Sequence, residues 1–188
     1  MSKTKYTDQE IISGCIKGRP IYQELLYRQY YAFGMSVCVR YSASRADALE
    51  ILNDSFMKVF ENLNTFDTSR PFKSWFRRIL VNTALDHWRS RKRLQIFKDV
   101  GPDEMEAVVE PEPTDILDAG EILRLFEGLP ELFRITFNLY EVEGYNHEEI
   151  AGMLDVSPGT SRSNLSRAKK MLRALYARMK TKQRHEAV

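Results

Sequence analysis

The stretch NHEEIAGMLDVSPGTSRSNLSRAKK, residues 146–170, predicts two short helices joined by a tight turn. Asn146 followed by Glu149 has the pattern of a capping box, which begins the first helix. Ser157 followed by Pro158 begins the second, because serine caps a helix and proline fits its first turn, where no amide donor is needed. The turn between the helices then contains Asp155 and Val156.

Helical periodicity divides the side chains of this segment into an inward and an outward set. The inward set of the first helix is Ile150, Ala151 and Leu154, and that of the second is Ser161, Leu165, Ala168, Leu172 and Leu175. The outward set of the second helix is Ser163, Ser166, Arg167 and Lys170, flanked by Arg162 and Arg173. Hydroxyl and guanidinium groups contact phosphates and base edges, and the residues nearest the start of such a helix reach the bases. The segment therefore predicts a helix-turn-helix that reads DNA.

The charge of the second helix argues against a merely solvated basic surface, which is the commoner meaning of a charge run. Residues 156–185 contain nine Lys or Arg and no Asp or Glu. An ordinary solvated helix mixes both signs. The single sign of the charge favours binding to nucleic acid.

Composition excludes several other classes of protein. A chain of 188 residues with 43% hydrophobic and 29% charged residues is typical of a soluble globular protein of one or two domains. No apolar run has membrane-spanning length and the polar start is not a secretory signal, so we expect a cytoplasmic protein without direct membrane insertion. Cys15 and Cys38 lack metal-ligand spacing and are expected to be buried, and the histidines at 87, 147 and 185 are expected at surfaces or helix ends. The sequence indicates no cofactor, no metal, no small-molecule substrate and no active site.

Charge and proline content divide the chain into two domains and a linker. Residues 1–98 contain 17 basic and 9 acidic residues, residues 99–118 contain eight acidic residues and no basic one, and residues 119–188 contain 11 basic and 9 acidic residues. The acidic segment also contains three prolines and lacks helical periodicity at its centre. We predict a first domain over residues 1–96, an extended linker over residues 97–119 and a second domain over residues 120–188. A further hypothesis is that the acidic linker masks the basic surfaces in the free protein.

The first domain has helical periodicity throughout, and the chain is predicted to be all-α. The helices are predicted over residues 21–39, 45–63 and 72–93, with a turn-rich loop over residues 64–71. Aromatic and basic residues alternate near the end of the third helix, and such a mixture suits unpaired nucleic acid, because rings stack on bases while cations follow the backbone. Beside an apolar stripe, however, aromatic residues more often belong to the core. We place Trp75 in the core and leave both interpretations open for Trp88.

Four ordered segments resemble the extracytoplasmic-function (ECF) sigma factors, the two-domain group of the sigma-70 family that directs bacterial RNA polymerase to promoters. They are YQELLYRQYY, ADALEILNDSFMKVFENL, FDTSRPFKSWFRRILVNTALDHWRSRKR and LPELFRITFNLYEVEGYNHEEIAGMLDVSPGTSRSNLSRAKKML. Their order and spacing make the resemblance specific, and it covers residues 20–93 and 121–178. It implies two small helical domains, a region 2-like helical bundle and a region 4-like helix-turn-helix domain.

The resemblance implies that the first domain binds core RNA polymerase through its second predicted helix. The clamp-binding segment of the family matches Leu52, Asn53, Asp54 and Phe56, with Asp47 and Glu50 as nearby acidic contacts. Relatives usually have glutamine at the position of Asn53. Asparagine keeps the amide of that glutamine but has a shorter reach.

The resemblance also implies that the first domain reads and opens the minus-ten element. The loop over residues 64–71 matches the specificity loop, which captures an unstacked base, and its polar residues are Asn64, Thr65, Asp67, Thr68 and Ser69. Removing a base from the stack costs roughly a few kcal/mol, which contacts in the pocket must offset. On the third helix, Asn82 and Asp86 match positions that face promoter DNA, and the phosphate-binding positions match Arg77, Arg78, Arg89 and Lys92. The spacing of Asn82 and Asp86 would equally allow a local bond on the helix surface.

The second domain resembles region 4, which reads the minus-thirty-five element. The DNA-contacting positions of the family match Thr160, Arg162, Ser163 and Arg167, and Asn164 replaces a frequent arginine. Together with the outward Ser166 and Lys170, these residues form the predicted minus-thirty-five surface. We expect the replacement at Asn164 to change the preferred DNA sequence.

With the resemblance, the sequence predicts an alternative sigma factor that binds core RNA polymerase and promoter DNA, stabilises melted minus-ten DNA and is not an enzyme. Because relatives are commonly held inactive by an anti-sigma factor, such a partner is also expected. Two other classes stay open. A stand-alone helix-turn-helix regulator would need a dimer or a ligand pocket and would bind an operator without polymerase. An anti-sigma factor or adaptor would use its basic surfaces on acidic proteins.

Overall fold

In a computed structural model, the described residues are 6–96, 125–126 and 128–186. Their regular secondary structure is helical, and no strand occurs within these ranges. The all-α prediction is therefore confirmed. The predicted linker over residues 97–119 lies outside the described residues. Contacts group the chain into two compact units, Met1–Trp88 and Arg89–Val188.

Four α-helices begin in the first unit. They are α1 (Asp8–Ile16), α2 (Pro20–Cys38), α3 (Arg45–Asn62) and α4 (Phe72–Ile96). The last three agree with the predicted helices to within three residues at each end. A short 3₁₀ turn (Leu63–Thr65) and an irregular segment connect α3 to α4, so the predicted loop is present but begins in a helical turn.

The helix α1 lies outside the helices predicted from the sequence. Its start is a capping box, in which Thr7 accepts from the Glu10 amide and the Glu10 carboxylate accepts from the Thr7 amide at 2.7 Å. Two side chains of α2, Gln29 and Tyr30, donate to the carboxylate of Asp8 at 2.5 and 2.6 Å. A nine-residue helix is marginal in isolation, so these bonds to α2 and the burial of Ile11 and Ile12 hold α1 in place.

Aromatic rings on α2, α3 and α4 form the centre of the first unit. Phe76 of α4 is fully buried, and its ring centroid lies 4.8 Å from that of Phe56 and 6.2 Å from that of Tyr30. Burying a side chain of this size contributes about 1.5 to 3 kcal/mol. The rings therefore fix which sides of α3 and α4 face the solvent.

The second unit contains the predicted helix-turn-helix. Its helices are α5 (Glu131–Phe137), a π-helical turn (Asn138–Val142), α6 (His147–Leu154) and α7 (Pro158–Glu186). The predicted capping box of Asn146 and Glu149 begins α6. Asp155 ends it in the left-handed conformation, with φ 53°, which turns the chain toward α7. The predicted inward residues of α6 and the first turns of α7 are buried, while Leu172 and Leu175 are half-buried.

The structure decides the positions of the two tryptophans. Trp75 is half-buried and borders the solvent, so its placement in the core is corrected. One side of its ring packs on Phe66 and Phe72, at 5.0 and 5.7 Å between centroids. Trp88 is 5% exposed and belongs to the core.

Cys15 and Cys38 are buried, as expected, and unpaired. Burial raises the pKa of the Cys15 thiol to about 11 and that of Cys38 to about 12. None of the helices in the described residues is long and apolar enough to cross a membrane.

Candidate functional site

The start of α7 presents polar and basic side chains on one exposed surface. Ser157 caps the helix, since its hydroxyl accepts from the backbone amide of Thr160 at 3.0 Å and bonds the Thr160 hydroxyl at 2.9 Å. The exposed residues of the following turns are Thr160, Arg162, Ser163, Ser166, Arg167 and Lys170. These predicted DNA-contacting residues therefore lie together on the solvent side of α7, which we call the recognition surface.

The two arginines of the recognition surface make only weak contacts within the chain. Arg162 lies 3.9 Å from Glu148, and the two side chains are 58% and 71% exposed. Arg167 lies 6.0 Å from the centroid of the Phe133 ring. An exposed ion pair contributes about 0 to 1 kcal/mol, so a phosphate or a guanine edge can replace it.

Contacts from neighbouring elements set the rotation of α7. His147, the first residue of α6, bonds the hydroxyl of the buried Ser161 through Nδ1 at 2.9 Å. Its ring stacks on Tyr140 with centroids 4.6 Å apart. Lys169 of α7 pairs with Glu141 at 2.6 Å. His147 thus lies at a helix end, as predicted, and helps to decide which residues of α7 face outward.

Asn164 does not belong to the recognition surface. Its side chain is 4% exposed, and its Nδ2 has no hydrogen-bond partner among the described residues. At 100° per residue it lies at the edge of the side that contains Ser161 and Leu165. The prediction that Asn164 contacts DNA is therefore corrected, because its side chain packs inward.

The exposed side of α3 carries the polar residues that were predicted to bind polymerase. Glu50, Asn53 and Asp54 are exposed, and Asp47 is half-buried. The Tyr27 hydroxyl on α2 donates to Oδ1 of Asn53 at 3.1 Å. Nε2 of His87 on α4 lies 2.7 Å from the carboxylate of Asp54. These contacts tie the exposed side of α3 to both neighbouring helices.

Leu52 and Phe56 lie on the opposite side of α3. They are 0% and 2% exposed, and the Phe56 ring lies 4.6 Å from that of Tyr27. The prediction that these two residues bind polymerase is corrected, because their side chains are in the core. Their part is to hold α3 so that Asn53 and Asp54 face the solvent.

The loop between α3 and α4 keeps its shape through Asp67. Its carboxylate accepts from the Ser69 hydroxyl at 2.7 Å and from the Ser69 amide at 3.0 Å, and it pairs with Arg70 at 3.3 Å. The Ser69 hydroxyl, the Ser69 amide and, to a smaller extent, Arg70 hold the pKa of Asp67 below its ordinary value. Asp67 and Ser69 therefore bond each other, while Asn64, Thr65 and Thr68 are exposed.

An open cleft of about 400 Å³ lies where this loop meets α3 and α4. It is lined by Lys58, Asn62, Thr65, Trp75, Ile79, Asn82 and Thr83. Thr83 is 1% exposed, and its hydroxyl has no hydrogen-bond partner in the described part of the chain. The cleft thus combines an indole ring with amide, hydroxyl and ammonium groups, which are the groups that stack on a base and bond its edges.

Only Thr65 and Asn82 of the cleft were predicted as site residues. Trp75, Ile79 and Asn82 follow one another at i, i+4 and i+7, so helical spacing would have indicated that they share a side of α4. The contributions of Lys58 and Asn62 depend on how α3 packs against α4, which no sequence spacing indicates.

The remaining predicted minus-ten residues occupy mixed environments on α4. Arg78 and Lys92 are exposed, whereas Arg77 and Arg89 are half-buried. Asp86 pairs with Lys58 at 3.2 Å, so this acidic side chain is partly neutralised. Nε of Arg89 donates to the backbone carbonyl of Met153 at 3.1 Å. The described residues contain no cluster of His, Cys, Asp or Glu that could hold a metal ion.

Sequence comparisons match two parts of the chain to known families. The family model described as Sigma-70 region 2 matches residues 26–94, and the family model described as Sigma-70, region 4 matches residues 119–172. The chain is 31% identical over 177 residues to the ECF RNA polymerase sigma-E factor of Salmonella typhimurium, an alignment that covers 88% of this chain and 92% of the relative. It is 27% identical over 180 residues to the RNA polymerase sigma-H factor of Pseudomonas aeruginosa, covering 90% and 93% of the two chains.

Among solved structures, the fold is similar to that of the sigma factor RpoE from Bartonella quintana, which was solved in complex with the anti-sigma factor NepR. The TM-score is 0.50 with 21% sequence identity, and the match covers 82% of this chain and 96% of that chain.

Proposed function

We propose that the two units of this chain perform different parts of one function. The chain belongs to the ECF sigma factors of the sigma-70 family. The chain is an alternative sigma factor that directs promoter-specific transcription initiation. We assign promoter melting and polymerase binding to the first unit and upstream recognition to the second. The observation that carries this assignment is the cleft beside the loop between α3 and α4.

The cleft is suited to hold an unstacked base of the minus-ten element. Trp75 offers the exposed part of its ring for stacking, and Asn82 and Thr65 offer polar groups at the rim. The buried hydroxyl of Thr83, which has no partner in the described residues, would gain one from a base edge. Stacking contributes about 1 to 3 kcal/mol per base, which is enough to offset much of the cost of unstacking.

The recognition surface of α7 is suited to the major groove of the minus-thirty-five element. Arg162 and Arg167 are exposed and weakly engaged, so either can form bidentate bonds with guanine or contact a phosphate. Thr160, Ser163 and Ser166 supply hydroxyls for phosphates or base edges. Asn164 has no direct part in this reading because its side chain is buried.

The exposed side of α3 is suited to bind core polymerase through Glu50, Asn53 and Asp54. Acidic groups and an amide on one helix side complement a basic protein surface, which improves both orientation and association rate. We also infer that an anti-sigma factor competes for these surfaces and that the chain works in the cytoplasm without catalysing a reaction of its own.

The cleft is tested by run-off transcription and permanganate footprinting with core polymerase, the full chain and a cognate promoter. We expect Asn82→Ala and Thr83→Val to reduce permanganate-reactive thymines in the minus-ten region while leaving affinity for core polymerase unchanged. Arg28→Ala is the control, because Arg28 is exposed and, among the described residues, its ion pair is with Glu24 on the same helix. Normal melting by both cleft variants would refute the assignment of the cleft.

A further inference from the structure

One hydrogen bond connects the polymerase-binding side of α3 to α2. The Tyr27 hydroxyl on α2 donates to Oδ1 of Asn53 on α3 at 3.1 Å, although the two residues are 26 positions apart. Among the described residues, Tyr27 is the only side chain that hydrogen-bonds Asn53. One end of the exposed amide is thus held by the fold, and the other end, Nδ2, has no hydrogen bond within the described residues.

The packing around Tyr27 makes it a fixed donor. Its ring centroid lies 4.6 Å from that of the buried Phe56 and 5.6 Å from that of Tyr31. Burial, with a smaller contribution from Tyr31, raises the pKa of Tyr27, which favours the protonated, donating form of the hydroxyl. These ring contacts restrict the movement of the Tyr27 hydroxyl.

The held amide has an orientation that a free asparagine lacks. A solvent-exposed amide rotates about χ2 with a broad preference, and either its oxygen or its nitrogen can point outward. Bonding Oδ1 to Tyr27 selects the orientation in which Nδ2 and its two hydrogens point away from α2. A group that already has its bound orientation loses less conformational entropy on binding.

The residues around Asn53 make the orientation of its amide more important for binding. Leu49 and Met57 lie one turn before and after it on α3 and are 38% and 59% exposed. A partner that covers these apolar side chains also removes water from the amide between them. An amide without a bonding partner is costly in such a place, so a correctly directed donor matters more there.

We propose that Tyr27 is a positioning residue for polymerase binding: it holds Oδ1 of Asn53 so that Nδ2 donates to an acceptor on core polymerase. The inference rests on the proposed function of α3.

The test is a double-mutant cycle on the full-length chain, with affinity for purified core RNA polymerase measured by equilibrium titration. Tyr27→Phe removes one hydroxyl and keeps the ring, and we expect binding to weaken roughly threefold to tenfold, the range of one neutral hydrogen bond. Asn53→Ala should weaken binding at least as much. In the Asn53→Ala background, Tyr27→Phe should have no further effect.

Two measurements separate positioning from a structural role. The unfolding midpoint of Tyr27→Phe in urea should match that of the unsubstituted chain, because the lost hydroxyl bonds only an exposed amide. Tyr31→Phe is the matched control: it removes the hydroxyl of the adjacent ring, which makes no bond to Asn53, and should leave affinity unchanged.

The possible outcomes separate this inference from the proposal beneath it. If Asn53→Ala weakens binding and Tyr27→Phe does not, positioning by Tyr27 is refuted while the polymerase-binding side of α3 stands. If neither substitution affects binding, Asn53 is not part of the polymerase-binding surface, and both its assignment and the inference fail. An equal loss from Tyr27→Phe with and without Asn53 would show that the hydroxyl contacts polymerase directly, which also overturns the inference.

Discussion

Neighbouring residues of α7 have opposite environments, and this contrast sets their roles. Ser163 is exposed, whereas Asn164 and Leu165 are buried, with only 4% and 7% of their surfaces exposed. Periodicity predicted the outward and inward sets of this helix, but similarity to relatives assigned Asn164 to the DNA side. The backbone position of Asn164 is at the edge of both sets, so only packing against the rest of the unit could decide it.

At this scale we predict that Arg162→Ala and Arg167→Ala each weaken recognition of the minus-thirty-five element. The expected loss is about 1 to 3 kcal/mol for a bidentate contact with guanine, and the salt slope should fall by about one for a phosphate contact. Promoter binding by the holoenzyme, measured at several salt concentrations, checks this.

Affinity for core polymerase should be unchanged in both arginine variants, and Arg28→Ala, which removes an equally charged side chain from α2, is the control. An unchanged promoter preference and salt slope in both variants would show that the recognition surface is misassigned.

The helices with strong signals in their own sequence are the ones that were predicted correctly. The helices α2, α3 and α4 have long apolar stripes, and α6 and α7 have capping residues that mark where they begin. The helix α1 has nine residues and depends on bonds from Gln29 and Tyr30 to Asp8, so its stability is a tertiary effect. The cleft likewise depends on the packing of α3 against α4, and for that reason most of its lining was not predicted.

Two glycines in helices should respond oppositely to alanine. At Gly14 in α1, a Cβ atom would lie 2.2 Å from Cγ of Tyr22, so Gly14→Ala must displace either the Tyr22 side chain or α1 itself. We expect it to destabilise the first unit by about 1 to 3 kcal/mol. At Gly152 in α6, no atom lies within 4 Å of a Cβ, and Gly152→Ala should stabilise α6 by about 0.5 to 1 kcal/mol.

Hydrogen exchange of the amides of α1 and α2 in the first variant, and of α6 in the second, measures the two effects separately. A gain in protection for Gly14→Ala would contradict the close packing of α1 on Tyr22.

In the whole molecule, function requires two DNA-reading units that share one promoter. A flexible coil of 23 residues, the length of the predicted linker over residues 97–119, would average only about 24 to 29 Å. Elements about 25 base pairs apart are roughly 85 Å distant along the duplex. The sizes of the units cover part of this difference, and we expect polymerase to set the rest, so the free chain should bind promoter duplex weakly.

The acidic linker provides a prediction at this scale. Residues 99–118 contain eight acidic and no basic residues, and we expect them to compete with DNA for the basic surfaces of the free chain. Replacing the acidic residues with Ser or Gln should raise nonspecific DNA binding, most strongly at low salt, because the Debye length is about 10 Å at 0.1 M. Fluorescence anisotropy with random-sequence duplex measures this. Unchanged binding would leave the segment as a spacer without a masking role.

The different settings of the two indoles give the chain a built-in optical signal. Trp75 borders the cleft with part of its ring open, while Trp88 is enclosed a few turns later on α4. A base that settles onto the open ring would quench its emission, and the enclosed ring would stay constant as an internal reference. Strand separation at a promoter could then be followed in real time without attaching a dye.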